Sequence, residues 1–128
     1  MIYLDTSVAL AYLLAEDRVP PDRLWEEDLV CSRLLEYELW TRIHAKKLTR
    51  SHGEAVQSIL GRVAMLEMIA PVLARAVDPF PSPVRTLDAL HLATVEFLRE
   101  MSVKVELASY DARMIAVARK LKIPIYRV

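Results

Sequence analysis

The sequence has a single cysteine, Cys31, and no excess of charge of either sign. One cysteine excludes an internal disulfide and a cysteine-based metal cluster, and it fits a reducing cytoplasm. The 17 basic side chains balance the 17 acidic ones, so the net charge is zero. This balance excludes a protein that holds nucleic acid through its overall charge alone, although it permits a local basic groove.

Long apolar runs, internal repeats and low-complexity tracts are also missing. Because no run is long enough to cross a bilayer and no signal-peptide pattern is present, we expect a cytoplasmic protein without a membrane segment. The chain has 128 residues, 54% of them hydrophobic, which is too apolar for a disordered protein and sufficient for a real core. We therefore predict a single domain over residues 1–128.

Short apolar stretches alternate with helical patterns along the chain. The predicted strands are residues 2–4, 29–31, 103–108 and 124–128. The predicted helices are residues 8–15, 33–48, 71–77, 86–101 and 112–121, together with a helix that a Ser51–Glu54 capping box opens and that runs to about Met65. Residues 66–70 are ambiguous between a strand and a helix end. This alternation is typical of an α/β fold with a mainly parallel sheet.

Four acidic residues occupy positions suited to a shared site. Asp5 and Asp111 each follow a predicted strand, and the carboxyl ends of parallel strands lie along one edge of a sheet. Asp88 falls in the first turn of a predicted helix. Glu38 lies beside the apolar stripe of its helix, where a lone charge is costly, so it needs a partner. Either Arg42, four residues later, or a metal ion would meet that need.

Each acid also has an ordinary structural explanation, because turns, helix caps and first helical turns are common places for carboxylates. His91, on the apolar face of the helix after Asp88, is more often a hydrogen-bonded core residue than a ligand. If the four acids do converge, their mutual repulsion favours a hard divalent cation. Oxygen ligands without cysteine indicate Mg²⁺ or Mn²⁺, and two such ions can promote phosphodiester cleavage.

Four blocks of the chain, in order, resemble the PIN-domain ribonucleases, and specifically the VapC-type toxins of toxin–antitoxin pairs. The blocks are IYLDTSV around Asp5, Ser32 followed by Glu38 and a leucine, LDALHLAT around Asp88, and ASY before Asp111. The third block matches the most specific signature of the family, Asp-Ala-x-His-x-Ala. The resemblance covers nearly the whole chain, with two small departures: Ser7 replaces a frequent asparagine, and His44 lies where glycine is frequent.

The resemblance implies a three-layer α/β/α fold and an endoribonuclease toxin that cleaves RNA such as tRNA or mRNA. It implies that Mg²⁺ or Mn²⁺ binds to the catalytic acids Asp5, Glu38, Asp88 and Asp111, of which Asp111 belongs to the least uniform part of the pattern. It also implies a homodimer and an antitoxin protein that covers the site.

Three auxiliary residues and a basic segment follow from the same blocks. Thr6 and Ser109 are expected either to orient the acids and metal-bound water or to cap helices, and Arg42 either to steady Glu38 or to meet a phosphate. The segment with the densest positive charge is a candidate for contacting the RNA backbone, or it is a solvated helix end. This segment, the basic stretch, comprises Arg42, His44, Lys46, Lys47 and Arg50.

Two other classes of function compete with a nuclease. A PIN-like scaffold with little activity would serve as a binding or regulatory partner of RNA or protein, although such a protein would be expected to have lost an acid. A phosphotransfer or receiver domain would use an aspartate as the phosphate acceptor. That chemistry needs a lysine near a strand end, and the sequence offers no convincing one.

Overall fold

The computed structural model describes all 128 residues, and its four strands form one parallel sheet. The strands are β1 (Ile2–Leu4), β2 (Leu29–Ser32), β3 (Val63–Leu66) and β4 (Glu106–Ala108). They are arranged in the order β3-β2-β1-β4, and each neighbouring pair is parallel. The predicted α/β fold with a mainly parallel sheet is confirmed.

Six α-helices connect and follow the strands. They are α1 (Thr6–Leu13), α2 (Leu34–Ala45), α3 (Thr49–Arg62), α4 (Ala70–Ala76), α5 (Thr86–Glu100) and α6 (Ala112–Lys120). A 3₁₀ helix at Asp22–Glu26 precedes β2. None of these helices has the length and apolar character needed to cross a bilayer.

The strand order places the helices in two layers. The chain moves outward from β1 to β2 to β3, and then returns to β4 on the other side of β1. Right-handed crossovers in opposite directions place their helices on opposite faces of the sheet. Accordingly α1, α2 and α3 contact one another, whereas α5 contacts α4 and α6. The result is the three-layer α/β/α architecture.

The direction in which strands are added to the sheet changes at β1, because β2 and β3 lie on one side of it and β4 lies on the other. The helices that follow these neighbouring strands, α1 and α6, therefore leave toward opposite faces, and a crevice opens between the two carboxyl ends. Asp5 follows β1 directly, and Asp111 follows β4 after two residues. The topology thus brings these two acids to the place where open α/β sheets bind ligands.

The core lies around the two central strands. Every residue of β1 and β2 is buried, as their unbroken apolar sequences predict for strands covered on both faces. The apolar stripe of α2, formed by Leu35, Leu39 and Ile43, is fully buried against them. Strand β3 at the edge is more exposed, with only Val63 buried.

Several predicted element boundaries are wrong. Helix α3 begins at Thr49, so Ser51 lies inside it and donates to the Leu48 carbonyl oxygen (3.2 Å) instead of forming a capping box. The chain leaves this helix at Val63, because residues 63–66 pair with β2 as an edge strand. The predicted strand at 103–108 is shortened to β4, and the predicted strand at 124–128 is reduced to one bridge between Leu107 and Ile125.

Four helices end on a residue with a left-handed backbone conformation, and none of these residues is glycine. They are Ala15 (φ 48°), Lys47 (φ 57°), Ser102 (φ 63°) and Lys122 (φ 60°). In each case the next residue donates its N–H to the carbonyl five residues back, as in a Schellman motif. A side chain in this conformation costs about 1–2 kcal/mol that glycine would avoid. The chain thus accepts backbone strain at four helix ends.

Candidate active site

Asp5 is held at the end of β1 by two serines. Its side chain is buried, and its Oδ2 accepts hydrogen bonds from Ser7 Oγ (2.5 Å) and Ser109 Oγ (2.8 Å). These hydroxyls also accept the backbone N–H groups of Tyr110 (3.0 Å) and Asp111 (3.0 Å), respectively. Because each hydroxyl is bonded on both sides, the carboxylate of Asp5 has one defined orientation across the β1–β4 crevice.

Asp111 begins α6 and is fixed by that helix. It is the N-cap residue, and its Oδ1 accepts the N–H groups of Arg113 (2.9 Å) and Met114 (3.2 Å). A carboxylate is favoured here because it satisfies free amides at the positive end of the helix dipole. Its other oxygen, Oδ2, remains directed toward the guanidinium of Arg85 at 2.5 Å.

Arg85 bridges Asp111 to Asp88. Its Nε donates to Asp88 Oδ2 at 2.9 Å, while its Nη2 contacts Asp111. Asp88 lies in the first turn of α5, as predicted, and Arg85 stands in the N-cap position. Burial raises the pKa of Asp88, and the charges of Asp111 and Asp5 raise it further against the opposing effect of Arg85. These three acids therefore share one electrostatic environment.

Glu38 is paired with His91, and not with Arg42. Glu38 Oε1 lies 2.6 Å from His91 Nε2, whereas the exposed Arg42 makes no side-chain hydrogen bond or ion pair. Of the two partners expected for Glu38, Arg42 is therefore not in contact with it, because α5 places His91 against Glu38 instead. His91 is only 1% exposed, so its description as a hydrogen-bonded core residue is confirmed.

A buried chain of hydrogen bonds holds His91 in place. Its Nδ1 lies 2.7 Å from the hydroxyl of Tyr3, which also accepts the Ser32 N–H at 3.2 Å. Burial, the largest influence, opposes protonation of the imidazole. The neighbouring Tyr3, Cys31 and Glu38 groups outweigh it and hold the pKa of His91 well above its usual value. When His91 is protonated, its Nδ1 donates to the Tyr3 hydroxyl and its Nε2 to Glu38.

The structure brings the four predicted acids to one end of the molecule, where two separate sets of hydrogen bonds hold them. Asp5, Asp88 and Asp111 are joined through Ser109 and Arg85. Glu38 is joined through His91, which lies one helical turn after Asp88 on α5. In this conformation, however, no three acidic or histidine side chains converge closely enough to coordinate a single ion.

The auxiliary residues behave differently from one another. Ser109 donates to Asp5, in agreement with its expected orienting role. Thr6 does not orient Asp5: its hydroxyl is buried without a partner in the protein, and Ser7 makes the bond instead. Thr6 also does not cap α1, because it is the first helical residue and Asp5 precedes it as the N-cap.

Sequence reasoning missed Tyr3, Ser7 and Arg85 as contributors to the site. Two of them carried a usable signal. A tyrosine inside a buried strand needs a hydrogen-bond partner for its hydroxyl, and Arg85 precedes Asp88 by three residues, a spacing that allows an ion pair. Ser7 had no comparable signal, since its contacts depend on the neighbouring strand β4.

The donor chemistry of the site, although not the present spacing of its side chains, suits a hard divalent cation. Its donors are carboxylate oxygens, which suit Mg²⁺ and Mn²⁺. Arg85 already places a positive group between Asp88 and Asp111, so these acids accept a cation. The unpartnered hydroxyl of Thr6 lies next to Asp5 in the chain and suits a water ligand.

Comparison with known proteins identifies the family. The PIN domain family matches residues 2–125. Ribonuclease VapC47 of Mycobacterium tuberculosis is 30% identical, and the match covers 94% of this chain and 92% of that protein.

Two solved structures share the fold. The first is Mycobacterium tuberculosis VapC20, described as a toxin that cleaves the sarcin–ricin loop. It is 20% identical with a TM-score of 0.69, covering 91% of this chain and 94% of that one. The second, a toxin–antitoxin complex from Klebsiella pneumoniae, is 15% identical with a TM-score of 0.65, covering 91% of each chain. The chain therefore belongs to the PIN-domain family, and within it to the VapC group.

Proposed function

We propose that this protein is a metal-dependent endoribonuclease and the toxin of a toxin–antitoxin pair. The observation that carries the proposal is the orientation of Asp5 by Ser7 and Ser109 at the β1–β4 crevice, beside Asp88 and Asp111. A buried carboxylate with two partly buried carboxylates beside it is costly to maintain, so the arrangement indicates a function that uses a cation. The kinship with ribonuclease VapC47 supports RNA as the substrate.

Asp5, Asp88 and Asp111 would hold Mg²⁺ or Mn²⁺, with Glu38 at the side of the site. When bound, the ion would activate water and stabilise the leaving oxygen during phosphodiester hydrolysis. The residues of the chain supply orientation: the serines fix Asp5, the amides of α6 fix Asp111, and His91 fixes Glu38. Arg85 balances the charge of Asp88 and Asp111 and lies within reach of a phosphate that approaches them.

The basic stretch is the proposed contact for the RNA backbone. All five of its residues are exposed, and they extend from the last turns of α2 to the start of α3. Lys46 follows Glu38 by eight residues, which places Lys46 about 12 Å along the helix axis from Glu38. At that distance it would meet phosphates that flank the cleaved bond and leave the acids free.

The toxin assignment includes two protein partners. An antitoxin that covers the crevice is supported by the shared fold with a protein solved as a toxin–antitoxin complex. A homodimer follows from the family resemblance. Both partners are testable by co-expression with the neighbouring gene and by measurement of the mass of the assembly in solution.

The test is cleavage of labelled RNA by the wild type and by Asp88→Asn, each with Mg²⁺, Mn²⁺ or EDTA. Asp78→Asn is the matched control, because Asp78 is an exposed aspartate without a side-chain hydrogen bond. We expect fragments from the wild type and from Asp78→Asn in the presence of metal, and none from Asp88→Asn. Equal cleavage by all three proteins, or cleavage that persists in EDTA, would contradict the proposal.

The alternative is a weakly active PIN-like scaffold that binds RNA or protein. The bridge that Arg85 forms across Asp88 and Asp111 favours it, because this bridge occupies two of the proposed ligands. A folded wild type that binds RNA and leaves it uncut would support the scaffold. A phosphotransfer domain is not supported, since no lysine contacts any of the four acids.

A further inference from the structure

A second cleft adjoins the acids and has no role in the mechanism above. It has a volume of about 620 Å³, which lies within the range of small-molecule pockets. One wall is formed by α1 and the turn after it, and the other by the residues after β4. The polar and aromatic residues that line it are Ser7, Glu16, Asp17, Arg18, Tyr110 and Asp111.

The cleft and the acid site share a wall. Ser7 donates to Asp5 and accepts the N–H of Tyr110, and Asp111 is one of the proposed metal ligands. Both residues also line the cleft. A strand of RNA whose phosphate lies at the acids would therefore place an adjacent nucleotide at the mouth of this cleft.

An aromatic ring and a cation line the cleft together. The guanidinium carbon of Arg18 lies 5.5 Å from the centre of the Tyr110 ring, within cation–π distance. Tyr110 is partly exposed and Arg18 is exposed, so both remain accessible. Proteins that recognise single-stranded RNA stack unpaired bases on such aromatic and guanidinium planes.

The carboxylates that precede Arg18 in the same turn determine which base the cleft would accept. Glu16 and Asp17 are exposed carboxylates, which only accept hydrogen bonds when ionised. A phosphate would be repelled here, whereas a base edge with N–H donors would be favoured. Guanine presents adjacent N1–H and N2–H donors to a carboxylate. Uracil presents one N–H between two carbonyl oxygens, which the carboxylates would repel.

We propose that this cleft binds a guanine base next to the cleaved bond, stacked on Tyr110 and Arg18 and read by the carboxylates of Glu16 and Asp17. The inference rests on the proposed ribonuclease function and adds a determinant of sequence preference to it. Glu16, Asp17 and Tyr110 would select the base, while the four catalytic acids would remain responsible for hydrolysis.

The first test maps the ends that the protein produces in a pool of random-sequence RNA. We expect guanine to be enriched at one fixed position beside the cut. In the double variant Glu16→Gln/Asp17→Asn this enrichment, measured as the share of guanine at that position among the ends produced, should fall about tenfold. The matched control is Glu26→Gln/Glu27→Gln, which removes two exposed charges outside the cleft and should keep the enrichment. The same base distribution in the wild type and the double variant would overturn the inference.

The second test separates this inference from the proposed function. Guanosine and uridine monophosphates are titrated into the wild type and into Asp5→Asn, and binding is measured by nuclear magnetic resonance. Preferential binding of the guanosine nucleotide by both proteins, lost in Glu16→Gln/Asp17→Asn, would support the pocket even if the wild type cleaves no RNA. Equal binding of the two nucleotides, or no binding of either, would refute the pocket even if cleavage occurs.

Discussion

Arg85 competes with a metal ion for Asp88 and Asp111, so its removal should tighten metal binding. The two ion pairs, at 2.9 Å and 2.5 Å, involve an arginine side chain that is 63% exposed. Solvent screening limits each exposed pair to about 0.2–1 kcal/mol, and breaking both therefore costs about 0.4–2 kcal/mol. In Arg85→Ala this cost disappears, and the Kd for Mn²⁺ should fall by roughly 2- to 30-fold.

Isothermal titration of Mn²⁺ into both proteins measures this change. Arg113→Ala is the control, because Arg113 is exposed on the adjacent helix and its side chain pairs with no acid. It reports the general effect of removing a positive charge, which should be smaller and should weaken at high salt. If Arg85→Ala and Arg113→Ala change the Kd equally, the ion-pair argument is wrong.

Three further predictions concern RNA binding and stability. Replacing Lys46 and Lys47 by glutamate should remove two phosphate contacts and so reduce the magnitude of the slope of log K against log salt concentration for RNA binding by about 1.4. Fluorescence anisotropy measures this slope, and an unchanged slope would exclude the basic stretch as an RNA contact. Tyr3→Phe leaves the buried Ser32 amide without a partner and His91 Nδ1 with only the Cys31 sulfur at 3.9 Å, so urea denaturation should show a loss of about 1–3 kcal/mol in the free energy of unfolding. Lys122→Gly should raise that free energy by about 1 kcal/mol by relieving a left-handed backbone, whereas Lys120→Gly, inside α6, should lower it by a similar amount; the same sign for both would refute the strain argument.

Periodicity identified the elements but not their ends. The unbroken apolar stretch before Asp5 indicates a central strand, and the spacing of Leu35, Leu39 and Ile43 indicates the buried face of α2. At Val63 the same signal fails, because apolar residues there satisfy both the helical and the strand period. Pairing with β2 decides the outcome, and this pairing is a contact with residues more than thirty positions away.

The chain's own order of residues determined the class of fold and the identity of the candidate acids. Strands that alternate with helices require a parallel sheet, and a carboxylate directly after a strand must lie at the carboxyl edge of that sheet. The partners of the acids were decided only by the tertiary structure. His91 reaches Glu38 across 53 positions and Ser109 reaches Asp5 across 104. Sequence spacing describes neighbours along one helix or strand, whereas these contacts depend on how separate elements pack against the sheet.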